Sequence, residues 1–294
     1  MRRGLPDRIV TVGEVVWDCF PDREVLGGAP VNVAYHLACL SRHVLPVTRV
    51  GDDQLGRRTL TAIAGLGLAT EGVQTDPILP TGRVQVTFDQ GGEPRFEIAT
   101  PAAWDAIDEK AVVDLLDGTP FLLVHGTLAQ RDPRSRGAIG NLRRRAGFCC
   151  YDVNLRPPFT GRELVLESLA GADLVKVNGN ELATLAGWCS IGGAPAEQAA
   201  ELCRRNRLHA LVVTEGADGA WVMAGGAVAR APGVTVAVVD TVGAGDCFLA
   251  GVISGMLDDL SWPEILARAN RRAAWVAARR GATPPMPAGE GELP

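Results

Sequence analysis

Lysine is almost absent from this sequence. Only Lys110 and Lys176 occur in 294 residues, and arginine carries the rest of the positive charge. A phosphate clamp built on lysine is therefore not expected, and anion binding falls to backbone N–H groups, arginine or metal. No Gly-Lys-Ser/Thr occurs, which excludes a P-loop. Phe248 follows Gly243 and Gly245 where a dinucleotide fingerprint needs its third glycine, which disfavours an NAD-dependent dehydrogenase. No run reaches the roughly 18 apolar residues of a membrane span. No long apolar stretch follows Arg2 and Arg3, as it would in a signal peptide. The formal net charge is −5, so there is no basic field for nucleic acid. The seven cysteines are odd in number and scattered, and Cys149-Cys150 lacks a second pair at zinc spacing. They read as reduced thiols of a cytoplasmic protein with neither nucleic-acid nor membrane partners.

What is present is a core-forming chain, 47% hydrophobic, long enough for one large α/β domain or two small ones. No linker and no internal repeat divides it. From Ala111 onward the pattern is strand then helix: Phe121–Val124, Phe148–Val153, Leu174–Val177, Ala210–Val213 and Ala220–Met223 are apolar runs, most of them separated by helical stretches. That alternation implies a parallel sheet covered on both faces. Polar residues gather where these strands end: His125, Asp152 with Asn154 and Arg156, Asn178 with Glu181, and Thr214-Glu215-Gly216. The carboxyl edge of an open α/β sheet is where its ligands bind.

The first third reads as a strand over 8–16 ending near Gly13-Glu14. The Asp18 stretch and a Gly27-Gly28 turn follow, then a helix opened by Pro30 with Asn32 in its first turn. Asp18, an acid among apolar residues, is either the polar face of a half-buried strand or a hydroxyl-binding group. Residues 81–98 alternate polar with apolar around a turn at 90–94, which predicts a β-hairpin with one wet face. Val84, Val86 and Phe88 fall on one side and Arg83, Gln85, Thr87 and Asp89 on the other. With the Asp18 stretch this hairpin is expected to form a small sheet outside the main one.

The densest signal is Asp240-Thr241-Val242-Gly243-Ala244-Gly245-Asp246. The run 234–239 predicts a strand leading into it, and Phe248, Leu249, Val252, Ile253 and Met256 predict a helix leaving it. Three small residues at a helix N-terminus leave backbone donors open at the positive end of the dipole, an anion cradle with Asp246 at its lip. Such an arrangement suits phosphoryl transfer, with the carboxylate taking the nucleophile's proton. A tight turn followed by dipole compensation would look the same, and these seven residues leave both readings open.

The chain resembles the ribokinase-like (PfkB) family of carbohydrate kinases. The resemblance rests on Gly27-Gly28-Ala29-Pro30-Val31-Asn32, on Asn178-Gly179-Asn180-Glu181, on Thr214-Glu215-Gly216-Ala217-Asp218-Gly219 and on the stretch 240–246, in family order over nearly the whole chain. The stretches 126–131 and 151–157 look most like bacterial fructokinase-type members. The resemblance implies a three-layer α/β/α sandwich with a mostly parallel central sheet and a small β-sheet lid. It implies one kinase domain over 1–294, with lid segments at about 14–26 and 81–100. Asp246 would be the general base, Gly243, Ala244 and Gly245 the anion hole, and Arg156 would lie over the phosphates or the sugar. Asp18, Gly28 and Asn32 would bind sugar hydroxyls, with Gln85 the polar lid residue facing the sugar. Asn178, Thr214, Gly216, Gly219 and Asn270 would serve the nucleotide.

The implied cofactors are ATP and Mg²⁺, with Glu181, Asn178 and Asp240 as metal-associated residues. Many members also bind a monovalent cation such as K⁺ beside the anion hole, yet here no hydroxyl ligand follows Thr283. The helix N-terminus is expected to keep Asp246 ionised, a weak base. The implied reaction is phosphorylation of fructose to fructose 6-phosphate, with 2-keto-3-deoxygluconate kinase, ribokinase and nucleoside kinase as rivals and an inactive sugar or nucleotide sensor as the non-enzyme alternative. A homodimer through the lid is the expected assembly.

Overall fold

The computed structural model describes residues 4–88, 94–287 and 289–294. In chain order the elements are β1 (Arg8–Val12), β2 (Val16–Cys19), β3 (Glu24–Gly27), α1 (Ala29–Ala38), β4 (His43–Gly51), α2 (Gln54–Gly65), β5 (Val73–Asp76), β6 (Arg83–Phe88) and β7 (Pro94–Ile98). There follow α3 (Glu109–Leu116), β8 (Phe121–Gly126), α4 (Pro133–Arg145), β9 (Phe148–Asp152), α5 (Arg162–Ala170), β10 (Leu174–Asn178), α6 (Gly179–Trp188) and α7 (Pro195–Asn206). The last are β11 (Ala210–Thr214), β12 (Gly219–Ala224), β13 (Ala227–Pro232), α8 (Ala244–Leu257) and α9 (Trp262–Ala277).

Nine strands form the large sheet in the order β13-β12-β11-β10-β9-β8-β1-β4-β5. From β11 to β5 neighbours run parallel, and β12 is antiparallel to both its neighbours. The period-2 pattern divides each strand between two helix layers. Ile9, Leu122, Val124, Leu174 and Val212 pack with α1, α8 and α9, around Leu37, Phe248, Val252, Ile265 and Leu266. Val10, Val12 and Leu123 turn the other way, onto α3 and α4. Val175, Val177, Leu211 and Val213 turn onto α5, α6 and α7. The three-layer expectation is met.

The chain leaves β1 toward β4 on one side, while β8 enters on the other. The strand order therefore reverses at β1, and the crevice beyond its carboxyl end is where an open sheet of this kind takes its ligand.

Two predicted strands are corrected. The strand expected over 8–16 is two elements. Gly13 N–H still donates to Val47 of the large sheet, but Trp17 N–H donates to Gly82, so the chain has crossed to the second sheet within four residues. The strand expected over 234–239 does not form. This segment lies outside both sheets, and its end is tied to α9 by Val239 and Asp240 N–H groups donating to Ala277. Val238 is 65% exposed, so an apolar run signalled a strand where the chain runs outside both sheets between β13 and α8.

The second sheet has the order β3-β2-β6-β7, with β2 parallel to β6 and Asp18 opposite Val84. Val84 and Val86 are buried and Gln85 and Thr87 exposed, as the alternation required. The side chain of Phe88 and the turn expected at 90–94, apart from the backbone of Pro94, lie outside the described residues, as does Asp89. Among the described residues no helix is long and apolar enough to cross a membrane. All seven cysteines are free.

Candidate active site

The carboxyl end of β1, the small sheet and the N-terminus of α8 enclose a cavity of about 500 Å³. Its polar lining is Glu14, Asp18, Asn32, Asn154, Arg156, Lys176, Thr241 and Asp246, and Val16, Val84, Phe96 and Ile98 of the small sheet roof it. Gly28, Gly243 and Gly245 also line it. Asp246, Gly243, Gly245, Arg156, Asp18, Gly28 and Asn32 are thus brought together from positions more than 200 residues apart.

Local backbone chemistry explains two of the glycines. Gly243 caps α8 at φ 78°, and a Cβ there would meet the Ala282 Cα at 2.5 Å. Gly28 sits at φ 117°, and a Cβ would lie 2.5 Å from the Glu14 carbonyl oxygen. Only glycine fits either position. No side chain caps α8, so N–H groups of its first turn stay available to an anion. Ala244 N–H donates to Thr241 at 3.2 Å, which leaves this residue as scaffold for the turn.

Asp246 is 8% exposed, and its Oδ2 accepts a hydrogen bond from Asn32 Nδ2 at 2.8 Å. The expectation that the helix N-terminus leaves Asp246 a weak base is corrected. Burial, reinforced by the Asp152 charge, raises its pKa to about 6 against the opposing pull of Lys176, Asn32 and Arg156. At neutral pH it is still mostly a carboxylate, but a far better base than an exposed aspartate.

The second correction concerns lysine. Lys176 stands in the cavity wall, with Nζ 2.9 and 3.0 Å from the two carboxylate oxygens of Asp152. Both residues are buried. Burial works against the Lys176 charge, yet Asp152, Asp246 and Glu181 outweigh it and the pKa is raised. A fixed positive charge therefore faces the anion cradle, where a Cβ on Gly245 would lie 3.3 Å from Nζ. A lysine among Leu174, Val175 and Val177 on a buried strand was the available signal; scarcity of lysine hid it. Glu14 was also missed, having been read only as a strand end. It is buried in the cavity wall, and its pKa is raised to about 7, chiefly by burial.

Asp18 projects from β2 and is half-buried; burial raises its pKa and Arg156 opposes. Arg156 itself is exposed at the rim. Gln85 is corrected: it does not line the cavity but lies exposed, its Nε2 donating to Cys19 at 3.2 Å. Side chains alternate along β6, so placing Val84 in the roof turns Gln85 away.

The residues expected at the nucleotide lie beside this cavity rather than in it. Asn178 and Glu181 form a reciprocal cap on α6: Glu181 N–H donates to Asn178 Oδ1 at 2.9 Å and Asn178 N–H to Glu181 Oε2 at 2.8 Å. Glu181 Oε1 takes Leu155 N–H at 2.8 Å. Thr214 ends β11, Gly216 begins the turn after it and Gly219 opens β12. Asn270 staples α9 to β13 through bonds to Ala231 and Pro232. Asp240 accepts Val242 and Gly281 N–H groups, each at 3.0 Å, and so braces the turn before α8. Among the described residues no three His, Cys, Asp or Glu side chains gather as a metal cage. The Asn178–Glu181 cap, with both carboxylate oxygens already holding N–H groups, fits a hydrated Mg²⁺ bound through its waters rather than directly.

Residues 6–289 match the pfkB family carbohydrate kinases. A fructokinase of Klebsiella pneumoniae is 30% identical over 262 residues, covering 85% of this chain and 84% of that protein. A fructokinase of Vibrio alginolyticus is 28% identical over 300 residues, covering 96% of each. Among solved structures, the fructokinase of Xylella fastidiosa with bound ATP superposes with a TM-score of 0.86 at 24% identity, covering 95% of this chain and 94% of that one.

Proposed function

The chain belongs to the pfkB family of carbohydrate kinases, and from that premise we propose that it is a cytoplasmic ATP-dependent fructokinase that converts fructose to fructose 6-phosphate. The observation that carries this reading is Asp246: buried, oriented by Asn32, and set at an uncapped helix N-terminus on a cavity sized for a monosaccharide.

The sugar lies under the small sheet, with Asp18 and Asn32 hydrogen-bonded to its hydroxyls and the Gly28 backbone close against it. Asp246 receives the proton of the 6-hydroxyl as that oxygen bonds to the γ-phosphorus and the bond to the β-phosphate bridging oxygen breaks, releasing ADP. Donors at the start of α8, with Lys176 and Arg156, hold the charge on the phosphoryl group in flight. Asn178 and Glu181 would hold Mg²⁺ through its waters, and when bound the ion would supply neutralisation of phosphate charge. Thr214, Gly216 and Gly219 line the nucleotide's side of the site, Asn270 supports it from α9, and Asp240 keeps the cradle loop in place. The small sheet acts as a lid that excludes water. Phe96, 59% exposed at the cavity mouth, supports a homodimer across this sheet, which sedimentation of wild type and Phe96→Asp tests.

Asp246→Asn is expected to lower kcat on fructose by roughly 10²–10⁴-fold while ATP KM stays within a few-fold. Unchanged turnover would remove Asp246 from the reaction.

A further inference from the structure

Glu14 is the titratable group, among the described residues of the cavity wall, to which the phosphoryl transfer assigns no role. It follows Gly13 at the switch point of the large sheet, where the chain turns from β1 into the small sheet. The backbone N–H groups of Glu14 itself and of Ala29, at the start of α1, favour its ionised form, against the larger effect of burial. Its Oε2 is buried and has no partner, although it belongs to a residue lining the cavity that holds Asp246. A buried carboxyl oxygen without a partner is costly, and in a residue that lines a polar cavity it is a candidate for pairing with a ligand atom.

We propose that Glu14 is a substrate-contacting residue whose Oε2 donates a hydrogen bond to an oxygen of the acceptor sugar, next to the hydroxyl that Asp246 deprotonates. The proposal rests on the sugar-kinase reading.

The donor role follows from the neighbours. Asp246 on α8 faces Glu14 as a like charge, and Arg156, after β9, faces it as an opposite one; Asp18 on β2 and Lys176 on β10 line the same cavity. Burial holds the proton on Glu14 to higher pH than an exposed carboxyl would, and the Asp246 charge adds to this. Burial is the largest cause at both residues, and it places Glu14 at about 7 and Asp246 at about 6. Glu14 therefore keeps its proton to higher pH than Asp246 does. One carboxyl then gives a hydrogen bond while its neighbour takes a proton, from environment alone. A carboxylic acid in this position discriminates for a sugar oxygen able to accept, and it loses that grip when it ionises.

The experiment is the pH dependence of sugar and ATP KM, with fructose as the probe, in wild type, Glu14→Gln and Glu14→Ala. In wild type, fructose KM is expected to rise roughly tenfold between pH 6.5 and 8.5 while ATP KM stays flat. Glu14→Gln keeps a donor at every pH, so its fructose KM should stay near the low-pH wild-type value throughout. Glu14→Ala should show a KM raised roughly tenfold at pH 6.5 with no further rise. A Gln variant that retains the alkaline rise, or that loses kcat with fructose KM unmoved, overturns the proposal and leaves the kinase reading standing. A wild type that phosphorylates no sugar overturns both. Circular dichroism of each variant separates loss of contact from loss of fold, and Glu14→Gln, of nearly equal volume, carries the decision if Glu14→Ala does not fold.

Discussion

Burial raises the proton affinity of Asp246, and the two partners of the buried pair Asp152–Lys176 modulate it with opposite sign. Asp152→Asn removes a negative neighbour, so the rising limb of kcat against pH should move below 6. Lys176→Met removes a positive one and leaves Asp152 unpaired, so the limb should move above 6. At an effective dielectric near 20, a unit charge within about 6–12 Å is worth about 1.4–2.8 kcal/mol, so limb shifts of about one to two pH units are expected. The side chains are only 10% and 6% exposed, so solvent screens little of this.

Stability should separate the pair from its parts. Removing one member of a buried ion pair costs about 3–5 kcal/mol, whereas an isosteric neutral pair is often nearly as stable as the original. Lys176→Met should therefore lower urea stability markedly, and the double variant Asp152→Asn/Lys176→Met should recover most of it. The assay is kcat from pH 5 to 9 at saturating substrates, with urea unfolding of the same samples. Limbs moving in the same direction, or not at all, would refute the electrostatic account of Asp246.

Four further outcomes are expected. Gly243→Ala places a Cβ at φ 78° against the Ala282 backbone, which should cost about 1–3 kcal/mol in thermal unfolding and lower kcat with it. Asp18→Ala should raise fructose KM about ten- to a hundredfold with little change for ATP, and equal effects on both would make Asp18 structural. Gln85→Ala, by contrast, should leave fructose KM within about twofold, because Gln85 faces away from the cavity. Glu14→Gln should be more stable than wild type at pH 8 but not at pH 4. The folded-state pKa of Glu14 is raised from 4.5 to about 7, so wild type loses stability as pH rises through that window, up to about 3 kcal/mol; a melting-temperature difference that does not widen with pH would contradict this.

The sequence made the large sheet legible because its strands are buried on both faces and read as apolar runs with helical spacing between them. Asp246, Asn32, Gly28 and Asp18 were legible because small residues and isolated acids break those runs where strands end. What escaped reading depended on three-dimensional context. Val234–Val239 has the composition of a strand, but it pairs with neither sheet and its end is held by α9 instead. Lys176 and Asp152 are two sequence-distant residues on adjacent strands, aligned in register, and one lysine in a sequence gives no hint of its partner. The side of β6 that Gln85 occupies follows from the pairing of β2 with β6, which fixes Val84 opposite Asp18. The proton affinity of Asp246 reflects burial, which the helix-dipole argument alone omits.

The central claim is that this cavity phosphorylates fructose at the expense of ATP. ADP release coupled to a spectrophotometric readout, run with Mg²⁺ over ketoses, aldoses, sugar acids and nucleosides, tests it most directly. The account predicts fructose-dependent ADP release with fructose 6-phosphate as product, abolished by excess EDTA and lowered roughly 10²–10⁴-fold in Asp246→Asn. ADP release at a rate indifferent to every acceptor, or equal in wild type and Asp246→Asn, would contradict it.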